Sequence, residues 1–108
     1  MIIVEKNEGT KIPYTVSASK VTFDDDLQVN LAKREKDWAE HIDICADDEG
    51  NLVIGAAVGR RYVAEIDIPA RRYETTTETI DGEEVETQTP IPLDMNTVTL
   101  SLWAVEEV

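Results

Sequence analysis

Residues 62–68 read YVAEIDI and residues 41–46 read HIDICA, and these two runs decide the class of fold. In the first, Tyr62, Ala64, Ile66 and Ile68 alternate with Val63, Glu65 and Asp67. In the second, Ile42, Ile44 and Ala46 alternate with His41, Asp43 and Cys45. A period of two sends successive side chains to opposite faces of a strand, so one face is apolar and the other polar. Two more runs repeat the pattern. Leu27, Val29 and Leu31 enclose Gln28 and Asn30, while Val98, Leu100, Leu102 and Ala104 alternate with Thr97, Thr99, Ser101 and Trp103.

Working outward, shorter strands are predicted at Ile2–Glu5, Tyr14–Ser17, Lys20–Phe23 and Leu52–Val58. The phase slips between Val16 and Val21, which predicts a bulge or tight bend at Ser17-Ala18-Ser19. The nearly continuous apolar run from Leu52 to Val58 predicts a central strand covered on both faces, with Gly55 admitting a close neighbour. Asp47-Asp48-Glu49-Gly50-Asn51 has turn chemistry, and Asp81-Gly82 is a two-residue hairpin signal. Pro90-Ile91-Pro92 predicts an extended, unpaired segment before the last strand. Residues 32–41 (AKREKDWAEH) are rich in helix formers and compete with the β pattern. The expectation is a single all-β domain over residues 1–108: an antiparallel sandwich or partly open barrel of about seven to nine short strands, with at most one short helix. Antiparallel pairing is expected because the gaps are too short for parallel crossovers.

Charge narrows the partners. Ten basic residues face 23 acidic ones, for a net charge of −13, and Arg72 is the last base in the chain. Phosphate backbones and anionic membranes are repelled by such a surface, so direct nucleic-acid or membrane binding is disfavoured and a basic partner is attracted. No stretch approaches the ~20 apolar residues of a membrane helix. The lone cysteine, Cys45, excludes an internal disulfide. These features predict a cytoplasmic protein, or one assembled from the cytoplasm into a particle.

The segment 71–89 has the strand signature without a hydrophobic face. Thr75, Thr76, Thr77, Thr79, Thr87 and Thr89 supply β propensity, and Glu74, Glu78, Glu83, Glu84 and Glu86 supply charge. Only Tyr73, Ile80 and Val85 have apolar surface to pack. A two-stranded ribbon of this kind is marginal alone. It reads either as a protruding arm that docks on a partner or as an edge made acidic to prevent edge-to-edge pairing. Trp103 falls out of phase with Leu100 and Leu102, and is a candidate contact residue if its face is left uncovered.

Other constellations carry less. His41, Asp43 and Cys45 share one strand face, where a thiol–imidazole pair or metal ligands are conceivable, but side chains standing parallel on a single strand converge poorly. The Asp24–Asp26 and Asp47–Asn51 clusters suit hard cations, yet lack the ligand alternation of a calcium loop. The triplets Arg60-Arg61-Tyr62 and Arg71-Arg72-Tyr73 read as ion-pair partners for the chain's own carboxylates or for a subunit. No catalytic residue, cofactor or metal is assigned.

In character (short, acidic, all-β, with one cysteine and a polar arm) the chain is similar to small accessory proteins of phages and other mobile elements. The expected function is a non-enzymatic structural or protein-interaction module, engaging a protein partner or self-assembling. The interaction residues are Trp103, Tyr73, Glu78, Ile80, Glu83, Glu84, Val85 and Glu86. Two alternatives are an acidic inhibitor or nucleic-acid mimic that binds a basic protein surface, and a small-ligand-binding β-barrel.

Overall fold

In the computed structural model, which describes residues 1–55 and 61–105, the alternating runs pair into three open sheets. The elements are β1 (Ile2–Glu5), β2 (Tyr14–Ser17), β3 (Lys20–Phe23), β4 (Leu27–Asn30), the one-turn helix α1 (Leu31–Arg34), β5 (Glu40–Ala46), β6 (Leu52–Ile54), β7 (Arg61–Ile68), β8 (Tyr73–Ile80), β9 (Glu83–Pro90) and, after a 3₁₀ turn over Met95–Thr97, β10 (Thr99–Leu102). The class is all-β, as the alternation requires. Among the described residues the sheets are mixed and open, and no barrel closes.

The largest sheet has the order β1-β10-β7-β5-β6, and a second sheet has the order β2-β3-β4. Ile42, Ile44, Ala64, Ile66, Ile68, Leu100 and Leu102 line the inward face of the large sheet. Val21, Phe23, Val29 and Leu31 meet them from the small sheet and α1, in one buried cluster. The third sheet is the isolated pair β8-β9.

Turn chemistry explains the hairpins. Asp81 and Gly82 both have positive φ (53° and 79°), as a two-residue hairpin turn matched to strand twist requires. Ala18, also at positive φ, turns β2 into β3, so the phase slip at 17–19 is a tight turn and not a bulge. At 47–51 the Asp47 carboxylate accepts the N–H groups of Glu49 and Asn51, the bonds that hold it below the usual carboxylate range, with Asn51 the larger cause.

Three expectations are corrected, and the open reading of residues 32–41 is decided. β1 pairs with β10 in parallel, Ile2 opposite Thr99. The short-gap argument does not reach this pair, because nearly the whole chain lies between the two strands. β6 is an edge strand and not a central one, with Ile54 exposed. Gly55 has open space where a Cβ would stand, so its lack of a side chain serves its positive φ and not a close packing contact, while Val58 lies outside the described residues. Helical structure in 32–41 is limited to the end of α1. The turn ends at Glu35, whose backbone is extended (φ −64°, ψ 134°), and the chain before β8 takes the carbonyls beyond it: Arg71 Nη2 donates to the Glu35 carbonyl at 2.8 Å and the Arg71 N–H to that of Lys36 at 2.7 Å. Finally, Pro90 is the last paired residue of β9, opposite Tyr73. Proline is tolerated there because, among the described residues, no third strand joins this ribbon to receive an N–H.

Candidate functional site

Two features of the surface stand out from the packing: the β8–β9 arm and the outward face of the large sheet. Every residue of β8 and β9 is exposed. Eight residues per strand make a ribbon roughly 26 Å long at 3.3 Å per residue. It stretches the molecule to 70 × 23 × 21 Å and its radius of gyration to 18.2 Å. A compact chain of this length would have about 13 Å.

The pairing register sorts the arm residues. Glu78 stands opposite Val85 and Ile80 opposite Glu83, so these four share one face with Glu74. Glu84, opposite Thr79, and Glu86, opposite Thr77, occupy the other face. The ribbon thus carries acid on both sides and a small exposed apolar pair, Ile80 and Val85, near its tip. Its root is tied to the body. The Tyr73 hydroxyl donates to the Asp37 carboxylate, Arg71 bridges Asp37 and the buried Glu35, and Arg72 faces Asp94 at 3.7 Å. Tyr73 is therefore an anchor of the arm, half-engaged with the body. The second arginine triplet pairs with the chain's own carboxylates, as its sequence predicts. Of the first triplet, Arg60 lies outside the described residues.

Trp103 is not part of the arm. It lies on the outward face of the large sheet, its ring 6.1 Å from that of Tyr62, and its indole N–H donates to Glu65 Oε2 at 2.8 Å. The register shifts between Ile44 and Cys45, leaving Val63 unpaired as the extra residue of a bulge. This bulge breaks the alternation read from the sequence: Val63 is buried, and Tyr62 turns outward alongside Glu65.

The same face gathers His41. His41 pairs with Asp67 and Asp43 with Glu65 across β5 and β7. His41 Nδ1 lies 2.6 Å from Asp67 Oδ1, while Nε2 lies 2.8 Å from Asp43 Oδ1 and 3.3 Å from Glu65 Oε1. The hydrogen bond to Asp67 is the largest cause raising the His41 pKa; burial opposes it, and Asp43 adds to it. The field reaches further. Burial first, then Asp43 and Glu65, push the Cys45 thiol up, and Asp43 leads in raising the Tyr62 hydroxyl. Cys45 itself is 1% exposed, more enclosed than a half-buried outer position.

The expectation of poor convergence along one strand is corrected for His41 and Asp43, which meet at 2.8 Å on β5, and Glu65 and Asp67 join them across strands. Sequence reasoning misses Glu65 and Asp67: their alternation with Ile66 is visible, but the strand they face is not. Among the described residues, His41, Asp43 and Glu65 form a set whose ligand atoms all lie within 4.8 Å of one another. One imidazole nitrogen and two carboxylate oxygens at that spacing are able to hold a divalent cation.

The small-ligand barrel has no closed barrel to occupy, since among the described residues β1 and β6 are free edges of an open sheet. A surface cleft of about 440 Å³ does open between the sheets, with Ile12, Asp24, Tyr62 and Val105 on its walls. Among the described residues, no helix is long and apolar enough to cross a membrane. The chain matches no family model, no curated protein and no solved structure.

Proposed function

We propose that this chain is a non-enzymatic protein-interaction module whose β8–β9 arm engages a protein partner, with a structural role of the kind played by phage accessory proteins. One observation carries the reading: all sixteen residues of β8 and β9 are exposed, in a ribbon tied to the body at its root. A lone ribbon is marginal in water, and ordering its side chains opposes folding. A partner that covers one face supplies the missing burial. The chemistry of the arm describes that partner. Six acids and no base lie between Glu74 and Thr89, so the complementary surface is basic, with a shallow apolar contact for Ile80 and Val85.

The alternative of nucleic-acid mimicry gains less support. A mimic presents its carboxylates in rows on one continuous face, whereas this ribbon divides them between two faces.

The test is the molar mass of the whole chain by light scattering at low salt and at about 1 M salt, paired with affinity capture by the whole chain and by an arm-deleted variant. A discrete oligomer or a captured basic protein, lost on deletion, is the expected result. A monomer at both salts whose deletion changes no captured partner would refute the reading.

A further inference from the structure

We propose that His41, Asp43 and Glu65 form a three-ligand binding site for a divalent first-row transition cation, of which Zn²⁺ is the natural probe, on the outward face of the large sheet.

The first argument is geometric. Zinc takes nitrogen and carboxylate oxygen at about 2.0–2.2 Å in tetrahedral array, which places ligand atoms about 3.3 Å apart. His41 Nε2 and Glu65 Oε1 are 3.3 Å apart already, and Asp43 Oδ1 lies 2.8 Å from the same nitrogen. All three ligand atoms lie within 4.8 Å of one another. The ligands come from neighbouring strands of a five-stranded sheet, so their Cα positions are fixed by the ladder and not by a loop.

The second argument is independent of those distances. The register sets Asp43 directly opposite Glu65, and like charges directly opposite each other across strands are destabilising. His41 Nε2 faces both carboxylates, and a divalent cation among the three offsets their repulsion. Two other atoms of the set are held from outside it. Asp67 takes His41 Nδ1, the carboxylate–histidine arrangement that fixes the ring and raises ligand basicity. The Trp103 indole, which follows β10, holds Glu65 Oε2 and leaves Oε1 facing the site.

The ligand type sets the class of cation. Imidazole with carboxylate suits zinc and its first-row neighbours, whereas calcium wants six or more oxygens. Three protein ligands leave a fourth position on a solvent-open face, where water completes the shell. This site is separate from the arm, and its failure would leave the interaction reading untouched.

The experiment uses the full chain carrying Trp38→Phe, so that Trp103 is the sole tryptophan reporter. Zn²⁺ is titrated into chelator-stripped protein and followed by calorimetry and Trp103 fluorescence, with each variant's folding checked by circular dichroism. One saturating equivalent is expected, with a change in Trp103 emission as Glu65 Oε1 is drawn to the metal. His41→Ala and Glu65→Gln should each weaken binding at least tenfold, and Asp67→Asn about tenfold, as loss of an outer partner does. Excess Ca²⁺ should leave Zn²⁺ binding intact. The absence of a saturating equivalent, full affinity in either His41→Ala or Glu65→Gln, or ready displacement by Ca²⁺ would each overturn the assignment. Glu65→Gln keeps the shape and hydrogen bonding of the side chain, so it decides the matter even where His41→Ala unfolds.

Discussion

Removing residues 74–89 and joining Tyr73 to Pro90 through two glycines should leave the stability of the body almost unchanged. Tyr73 and Pro90 are cross-strand partners, so the splice spans a gap that the ladder already closes. None of the deleted residues is buried, so no core contact is lost. The tie of Arg71 and Tyr73 to Glu35 and Asp37 is retained. Two terms favour the shorter chain. Closing a loop some fivefold shorter gains at most about 1.4 kcal/mol by chain entropy. The deletion also takes out six acids and no base, which changes the net charge from −13 to −7 and relieves self-repulsion. The expected change in unfolding free energy is therefore between zero and about 1.5 kcal/mol, in the stabilising direction. Urea titration followed by tryptophan fluorescence reads it directly, because Trp38 and Trp103 both lie outside the deletion. The urea slope should hold, since it scales with surface exposed on unfolding and the arm exposes its surface already. Solution scattering should show the radius of gyration fall from near 18.2 Å towards the value for a compact chain, about 12–13 Å. A loss above about 2 kcal/mol, or a slope reduced in proportion to the residues removed, would show that the arm folds back and buries surface, and would refute the argument.

Other perturbations test the body. Phe23→Ala removes a fully buried ring between the two sheets and should cost about 3–5 kcal/mol in a urea titration. Gly9→Ala should destabilise by more than about 1 kcal/mol, because Gly9 sits at φ +130° and an added Cβ would lie 2.8 Å from Ala104 Cβ; a neutral thermal melt would contradict this. Arg71→Ala leaves the nearly buried Glu35 without its guanidinium and should cost about 1–3 kcal/mol, with Arg71→Lys recovering only part, since an ammonium lacks the fork. Cys45, 1% exposed, should react with a thiol reagent only in denaturant, and rapid labelling of the native chain would contradict its placement.

The parts of this fold that are legible in the sequence are the local ones. Strand alternation locates β3 to β5, β7 and β10 because each has one buried face, whereas β1 and β2 are largely exposed and are legible only as short β-prone runs; Asp81-Gly82 locates the arm because few other dipeptides accept two positive φ angles. What is not legible depends on pairing across long separations. Nothing in Ile2–Glu5 announces that it will lie parallel to Thr99–Leu102. The burial of Val63 follows from a bulge opposite Ile44 and Cys45, which periodicity treats as an error in phase. The fixing of the chain just after α1 is likewise tertiary, since the arginine that takes the Glu35 carbonyl stands 36 residues on in sequence.

The same distinction explains why the two surface features differ in how they are read. The arm declares itself locally, by having strand propensity and no side to bury, and the charge of the partner proposed for it follows from its own. The His41 cluster exists only because β5 and β7 pair in one register: a shift of one residue would turn His41 and Asp43 towards the core face and Ile42 and Ile44 outward. The apolar residues that fix that register are Ile42, Ile44, Ala64 and Ile66, all 5% exposed or less. The core therefore determines which carboxylates face the imidazole. The like-charge pair Asp43–Glu65 is a cost that the hydrophobic register imposes, unless a cation on the outward face offsets it.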